Sequence, residues 1–369
     1  MLIRYVGPAL FSITMLLFSA MQLASAAESR AILDERFNWL TKEEADNTLR
    51  RIKQAGFNVF IPCIWHGRGV SWPSLKAKKE PFWEQKYKTG YDPLDYLITK
   101  AHQMDIEVHP WFTVVIRQGD FLPEFYDKGT PKRSFNIHLP IFRDYIVDVM
   151  MEVVTRYDVD GINLDYVRSK DICVSDFCIN DYKRRYNRNL LKDVKEMQQD
   201  RWGVAANTIA AWNAYAVGEV VRRISEDSRK TKPDLIISVD TIVGMREFEL
   251  QGADGIGWAN KGWVDVVYHM DYQEKKKPVN RVFLNRGFQG LDDPDKLVLL
   301  AGNFSLFDKR AVPRDADFVN QIISFSRTLR RSGNGVALYQ YRFLNEAQID
   351  KLSNGAFKDI VRANWKKHR

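Results

Sequence analysis

The chain has few of the side chains that metal and redox chemistry require, with three cysteines and six histidines in 369 residues. His102, His109 and His138 fall at no ligand interval that zinc or iron would use, so no metal centre is expected. No glycine-rich phosphate-binding turn follows the first strand-like segment, which argues against a nucleotide-binding doubly wound sheet. Beyond the N-terminal segment no run approaches the roughly 20 apolar residues needed to span a bilayer. Long Gly/Ser or Pro linkers and low-complexity blocks are missing too, so one domain is expected and no cofactor is implied.

Arg4 precedes an apolar stretch at residues 6–23, and Ala24-Ser25-Ala26 follows as a small-x-small signal before Ala27. This is the pattern of a cleaved secretory leader. It predicts a signal peptide at 1–26, a single domain at 27–369, and an exported protein, periplasmic or extracellular. No stable membrane insertion is expected after cleavage. An oxidising compartment permits a disulfide between Cys173 and Cys178, close together in a polar segment; whether it forms is left open. Cys63 lies in an apolar run and reads as a buried free thiol.

With 45% hydrophobic and 28% charged residues, the chain can bury a core and is not a disordered polymer. Lys+Arg 55 against Asp+Glu 47 gives +8, spread along the chain, which favours anionic material without naming it. Export and the lack of a recognised nucleic-acid motif leave no nucleic-acid partner expected. Ten Trp and fifteen Tyr suit the flat faces of sugars, although core packing explains most of any Trp count.

Strand-like segments fall at residues 31–33, 58–65, 107–115, 161–167, 235–242, 264–270, 297–301 and 336–341, with helix-like stretches between them. Thr41 with Glu44 forms a capping-box pattern for a helix that stops at Gly56, and Asp92-Pro93 opens the next. Ile141, Tyr145, Val149 and Val153 repeat at helical spacing over residues 140–157. Eight strands separated by helices predict an α/β fold, a (β/α)8 TIM barrel; an open doubly wound sheet is the runner-up.

In such a barrel the strand ends point into one mouth, where sites are built. Those ends deliver Trp65, His66, Arg68, Trp111, Asn163, Asp165, Tyr166, Arg168, Asp240, Tyr268, Met270, Asp271, Tyr339 and Tyr341. Carboxylates for acid/base work, rings for stacking, and Arg and Asn for hydroxyls or anionic groups make the inventory of a saccharide site. Two-residue alternation sets Ile162 and Leu164 against Asn163 and Asp165, so the polar pair faces the barrel axis. Asp160 precedes the strand and reads as a turn residue. Trp65, Trp111 and Tyr339 are stacking platforms or upper-layer core. His66 and His109 are acid/base groups or hydrogen-bonded structural residues. Arg68 and Arg168 call for a ligand or a carboxylate partner. The lysines at 76, 78 and 79 and at 275–277 read as solvated faces that would attract an anionic polymer if they rim the mouth.

The stretch Asp160-Gly161-Ile162-Asn163-Leu164-Asp165-Tyr166-Val167-Arg168 resembles the strand-four signature of the family 10 glycosyl-hydrolase-like proteins. Ile52-Lys53-Gln54-Ala55-Gly56-Phe57-Asn58 resembles the same family. So do Tyr91-Asp92-Pro93-Leu94-Asp95-Tyr96 with Ile106-Glu107-Val108-His109-Pro110-Trp111, and Tyr268-His269-Met270-Asp271-Tyr272. The resemblance spans about residues 30 to 345 and implies a (β/α)8 barrel acting on bacterial polysaccharide, with some members linked to cell-wall glycan strands. Family members often carry a second acid directly after the strand-four Asp, where Tyr166 stands here. The distantly similar chitinase pattern Asp-Gly-x-Asp-x-Asp-x-Glu has Asn163 and Val167 in place of its middle Asp and final Glu, so the proton donor must come from elsewhere.

Asp165 is therefore expected to pair with Asp271, with Asp240 as the alternate acid or as the cap of the next turn. The expected function is an exported glycoside hydrolase cutting a cell-wall glycan or acidic exopolysaccharide endo-fashion. The alternative is a non-catalytic carbohydrate-binding barrel in polysaccharide assembly or export. Replacing Asp165 by Asn is expected to abolish hydrolysis in a reducing-end assay while the protein stays folded; retained turnover would remove Asp165 from the chemistry.

Overall fold

Helix boundaries follow local hydrogen-bond chemistry. Thr41 accepts from the Glu44 amide and the Glu44 carboxylate accepts from the Thr41 amide, closing a capping box on helix Lys42–Gln54. Asp92 caps helix Pro93–His102 through the amides of Leu94 and Asp95. The computed structural model describes residues 28–86, 90–272, 281–308, 310–329, 335–359 and 361. The leader at 1–26 and the lysines at 275–277 lie outside the described residues.

The strands are β1 (Ser29–Asp34), β2 (Val59–Trp65), β3 (Glu107–Val108), β4 (Trp111–Thr113), β5 (Gly161–Asp165), β6 (Ile236–Thr241), β7 (Val266–Asp271), β8 (Leu297–Gly302), β9 (Phe304–Phe307), β10 (Arg310–Pro313) and β11 (Gly335–Tyr339). The large sheet runs β1-β11-β8-β7-β6-β5-β4-β2-β3 with every pair parallel, and β1 also pairs with β2. That last pairing closes the ring, and with helices between the strands the fold is the expected (β/α)8 TIM barrel. Two details differ from the sequence-based expectation. The third stave is split into β3 and β4 by His109-Pro110, because Pro110 has no amide hydrogen for the ladder. An antiparallel hairpin, β9–β10, follows the seventh stave.

Alternation sorts the strand residues into two layers. Ala31, Leu33, Val59, Ile61, Cys63, Tyr268, Val298, Leu300 and Ala337 fill the barrel interior. Phe60, Ile64, Ile162, Leu164, Ile237, Val239 and Val267 pack outward beneath the helices. Cys63 is a buried free thiol, and a disulfide joins Cys173 to Cys178 above a small cluster with Tyr182 and Trp212. Arg30 binds Glu28 at 2.7 Å and Asp359 at 2.8 Å, tying the first strand to the C-terminal segment. Among the described residues no helix is long and apolar enough to cross a membrane.

At the base of β5, Gly161 lets the fully buried His109 ring, 3.2 Å from Glu107, lie against the backbone. A Cβ on residue 161 would sit 2.7 Å from both His109 Nδ1 and the Ile236 carbonyl oxygen. Gly161→Ala is therefore expected to lose about 1–3 kcal/mol by overpacking, measured by urea unfolding. An unchanged midpoint would show that this contact does not constrain the barrel floor.

Candidate active site

All eight staves end at one mouth, so the site is decided by which side chains alternation turns inward there. On β5 these are Asn163 and Asp165; on β6 they are Ser238 and Asp240. Asn163 lies opposite Ser238 and Leu164 opposite Val239, and this register carries Asp165 to the position beside Asp240. Neighbouring strands are about 4.8 Å apart, so the two carboxyl groups share one wall of the barrel. Asn163, one layer below, donates to Asp240 Oδ1 at 2.9 Å and to Ser238 Oγ at 3.0 Å. The Tyr166 amide donates to Asp165 Oδ1 at 2.6 Å.

Asp165 and Asp240 open into a cavity of about 400 Å³ that is also lined by Glu35, His66, Trp111, Tyr166, Arg168, Tyr272 and Tyr339. Asp165 is 6% exposed and Asp240 only 2%, so both carboxyls are poorly hydrated. Burial pushes Asp165 up to about 6, opposed by the Arg168 charge, the Tyr166 amide and the nearby Trp111 indole. That indole N–H lacks a partner in strict hydrogen-bond geometry, so its effect on Asp165 is a dipole at close range. Asp240 is pushed well above the usual carboxylate range, first by burial and then by the Asp165 charge, with Asn163 opposing. Burial and mutual repulsion thus favour a single proton shared by the pair, held more strongly by Asp240. Burial holds His66 down at about 4 and hence neutral.

Across the mouth, at the end of β1, Glu35 accepts from Tyr339 Oη at 2.7 Å and from Gln340 Nε2 at 3.2 Å. The Arg168 guanidinium is held between the Tyr166 ring at 4.4 Å and the Phe248 ring at 4.3 Å. Tyr166 itself has φ +47°, a left-handed backbone that swings its ring over the cavity wall.

Of the residues expected from strand ends, His66, Trp111, Asp165, Tyr166, Arg168, Asp240, Met270 and Tyr339 line this cavity. The others do not. Asp271 is turned outward with Val267 and His269, because inward parity on β7 belongs to Tyr268, Met270 and then Tyr272. It lines an adjoining cavity with His269, Met245 and Phe248 that shares Tyr166, Arg168, Met270 and Tyr272 with this one, and it is Asp240, not Asp271, that stands beside Asp165. Trp65 is fully buried against Phe121, Phe135 and Tyr145 instead of facing a sugar. The cause is a bulge, since Cys63 pairs with Trp111 but Trp65 with Phe112. Arg68 pairs with the buried Glu80 and lines a groove with Lys78 and Lys79. Tyr268 is buried inside the barrel, and Asn163 reaches Asp240 from beneath.

Sequence reasoning missed Glu35, Thr113, Gln118, Arg133, Lys170 and Tyr272, all of which line the cavity. Glu35 was within reach, since Ala31, Leu33 and Glu35 continue one inward parity a step past the apolar run. Arg133 and Lys170 stand on loops, where no periodicity points. Among the described residues no group of three or more His, Cys, Asp or Glu side chains could hold a metal ion.

The shifts carry a stability consequence with a definite sign. Raised acid pKa values mean the native state binds more protons than the unfolded chain, so stability falls as pH climbs from about 4 through about 6 as Asp165 ionises, and goes on falling until Asp240 has ionised as well. Asp165→Asn is expected to raise unfolding free energy by about 2 kcal/mol near pH 7.5 and to change it little near pH 4. Urea unfolding at both pH values checks this, and a variant less stable near pH 7.5 would contradict it.

Residues 32–126 and 126–282 match the family model described as glycosyl hydrolase-like 10. Glycosyl hydrolase YngK of Bacillus subtilis (strain 168) is 22% identical over 259 residues, 61% of this chain and 48% of that protein. Glycosyl hydrolase DigH of Escherichia coli (strain K12) is 22% identical over 206 residues, 48% of this chain and 40% of that protein. The matched segments thus span about half or less of the length of these curated relatives. Among solved structures, the PgaB (BpsB) glycoside hydrolase domain from Bordetella bronchiseptica superposes with a TM-score of 0.61 at 11% identity, covering 88% of this chain and 98% of that one. A β-galactosidase from Rahnella sp. R3 gives a TM-score of 0.56 at 12% identity, over 86% and 51% of the two chains. Those two structural likenesses speak to the fold, and the family match covers both β5 and β6; the chain belongs to the glycosyl hydrolase-like 10 family.

Proposed function

We propose that the protein is an exported glycoside hydrolase that cleaves a bacterial polysaccharide with Asp165 and Asp240. The observation that carries this reading is the side-by-side pair of buried carboxyls at the barrel mouth, whose burial and closeness favour one shared proton. Glycosidases need that division of labour. Asp240 gives its proton to the glycosidic oxygen as the bond to the anomeric carbon breaks. Asp165 faces the positive charge that develops on that carbon, and a water completes the hydrolysis by adding its oxygen there and returning a proton to a carboxylate of the pair. Trp111, Tyr166, Tyr272 and Tyr339 supply ring faces around the same cavity. Arg168 holds Asp165 in its charged form. A carboxyl gap of about 5–5.5 Å would give retention and about 6.5–9.5 Å inversion; adjacent-strand spacing favours the shorter.

The relatives' names support hydrolysis of glycosidic bonds, and a cell-wall glycan or an acidic exopolysaccharide is the proposed target. Export is supported by Arg4, the apolar run at 6–23 and Ala24-Ser25-Ala26, together with the Cys173–Cys178 disulfide. A second reading of the chemistry rests on Glu35, which stands on the opposite wall and would make Asp165 the acid.

The test is release of reducing ends from purified bacterial glycans, followed as a function of pH. The rate should rise through about pH 6 as Asp165 ionises, then fall at higher pH as Asp240 loses its proton. Asp240→Asn should lower kcat by about 10²–10⁴-fold. Normal turnover in Asp240→Asn with loss in Glu35→Gln would move the second catalytic role to Glu35. Polymer bound but never cut would replace the hydrolase by a carbohydrate-binding barrel.

A further inference from the structure

One wall of the cavity, built by the loops after β4 and β5, is basic. Arg133, Arg168 and Lys170 all line it. Among the described residues none of the three forms an ion pair with a carboxylate. Arg168 lies within the electrostatic reach of Asp165 and Asp240 and is accounted for by them. Arg133 and Lys170 are not. Lys170 Nζ donates only to backbone oxygens, that of Lys132 at 2.9 Å and that of Arg133 at 3.4 Å.

Burial is the first cause that pulls the Lys170 ammonium down, and the charges of Arg133, Arg168 and Arg117 act next in the same direction. Asp171 opposes them more weakly than any of the three arginines. Surface lysines and arginines in solvated faces neighbour acids, as the helix pairs Arg222–Glu226 and Lys230–Asp227 do here. Cations gathered on one concave wall without ion-pair partners repel one another, and an incoming anion lowers that cost.

We propose that Arg133 and Lys170 form a subsite for an anionic substituent, carboxylate or phosphate, on the sugar bound beside the carboxyl pair. The placement rests on the saccharide reading above and narrows it to acidic glycans. Lys170 and Arg133 would contact the anion directly, and Arg168 stays with Asp165. A neutral polymer would leave the like charges facing one another and bind more weakly.

Isothermal titration calorimetry of the mature protein with matched sugars tests this: glucose against glucuronate and glucose 6-phosphate, and N-acetylglucosamine against N-acetylmuramate. At least one anionic sugar should bind about tenfold or more tightly than its neutral counterpart. A glucose 6-phosphate preference identifies phosphate as the group, and a glucuronate or N-acetylmuramate preference identifies carboxylate. The preference should shrink between about 0.05 M and about 0.5 M salt. It should disappear in the double variant Arg133→Gln with Lys170→Gln. Should that variant unfold, the exposed Arg133→Glu alone should reverse the preference. Equal binding within every pair, no measurable binding of any anionic sugar, or a preference that survives the substitutions would overturn the subsite. Those results leave reducing-end release untouched, so the hydrolase reading stands or falls separately. Anion preference in a protein that cuts nothing would support the subsite within a binding barrel.

Discussion

The parallel pairing of β5 with β6 holds Asn163 opposite Ser238 and Leu164 opposite Val239, and through that register it fixes Asp165 beside Asp240. Each carboxyl is set by the parity of its own strand. The parity is anchored from outside. Ile162, Leu164, Ile237 and Val239 are fully buried under the helices, each worth about 1.5–3 kcal/mol of burial. A one-residue slip of either strand would turn those side chains into the barrel and the acids into the outer apolar layer. The chemistry at the mouth is thus secured by hydrophobic packing on the opposite face of the same strands.

Burying two acids together is unfavourable, and the surroundings show how the fold tolerates it. The Asn163 amide satisfies one Asp240 oxygen from below, and its own carbonyl, Oδ1, has no donor partner. Sharing a single proton between the pair removes the second charge, which is the largest part of the penalty. Arg168 offsets the charge that remains, and its guanidinium is fixed by two rings rather than by a carboxylate. An arginine held by stacking keeps its field available to Asp165, whereas a salt bridge elsewhere would spend it.

How much of this was legible beforehand depended on whether a residue sat inside a regular element. The eight staves could be read from short apolar runs between helical stretches, and Asn163 and Asp165 from alternation within one of them. Trp65 could not be placed, because a bulge between β2 and β4 inverts its face and no residue in the apolar run marks it. Asp271 failed for a simpler reason: it ends β7 at the mouth, but on the outward parity that Val267 and His269 share. Glu35 follows β1 just past the apolar residues, where chain polarity reads as a turn. Arg133 and Lys170 belong to loops whose path is set by tertiary contacts, among them the Lys170 bonds to the backbone of residues 132 and 133. Strand ends carry the acids and can be found by counting; the basic wall is made by loops and cannot.

Tyr166 joins these two halves of the site. In the resemblance that first pointed to the family, a second acid often stands at this position, directly after the strand-four Asp. A left-handed backbone at φ +47° is unfavourable for a tyrosine by roughly 1–2 kcal/mol. Two contacts compensate: its amide bonds Asp165 at 2.6 Å, and its ring carries Arg168 at 4.4 Å. An acid at 166 would instead place a second negative charge beside the pair and draw Arg168 away from Asp165. With Tyr166 there, the second carboxyl comes from β6 across one strand spacing. The arginine then remains free to face Asp165, and with it the loops that bring Arg133 and Lys170 to the same wall.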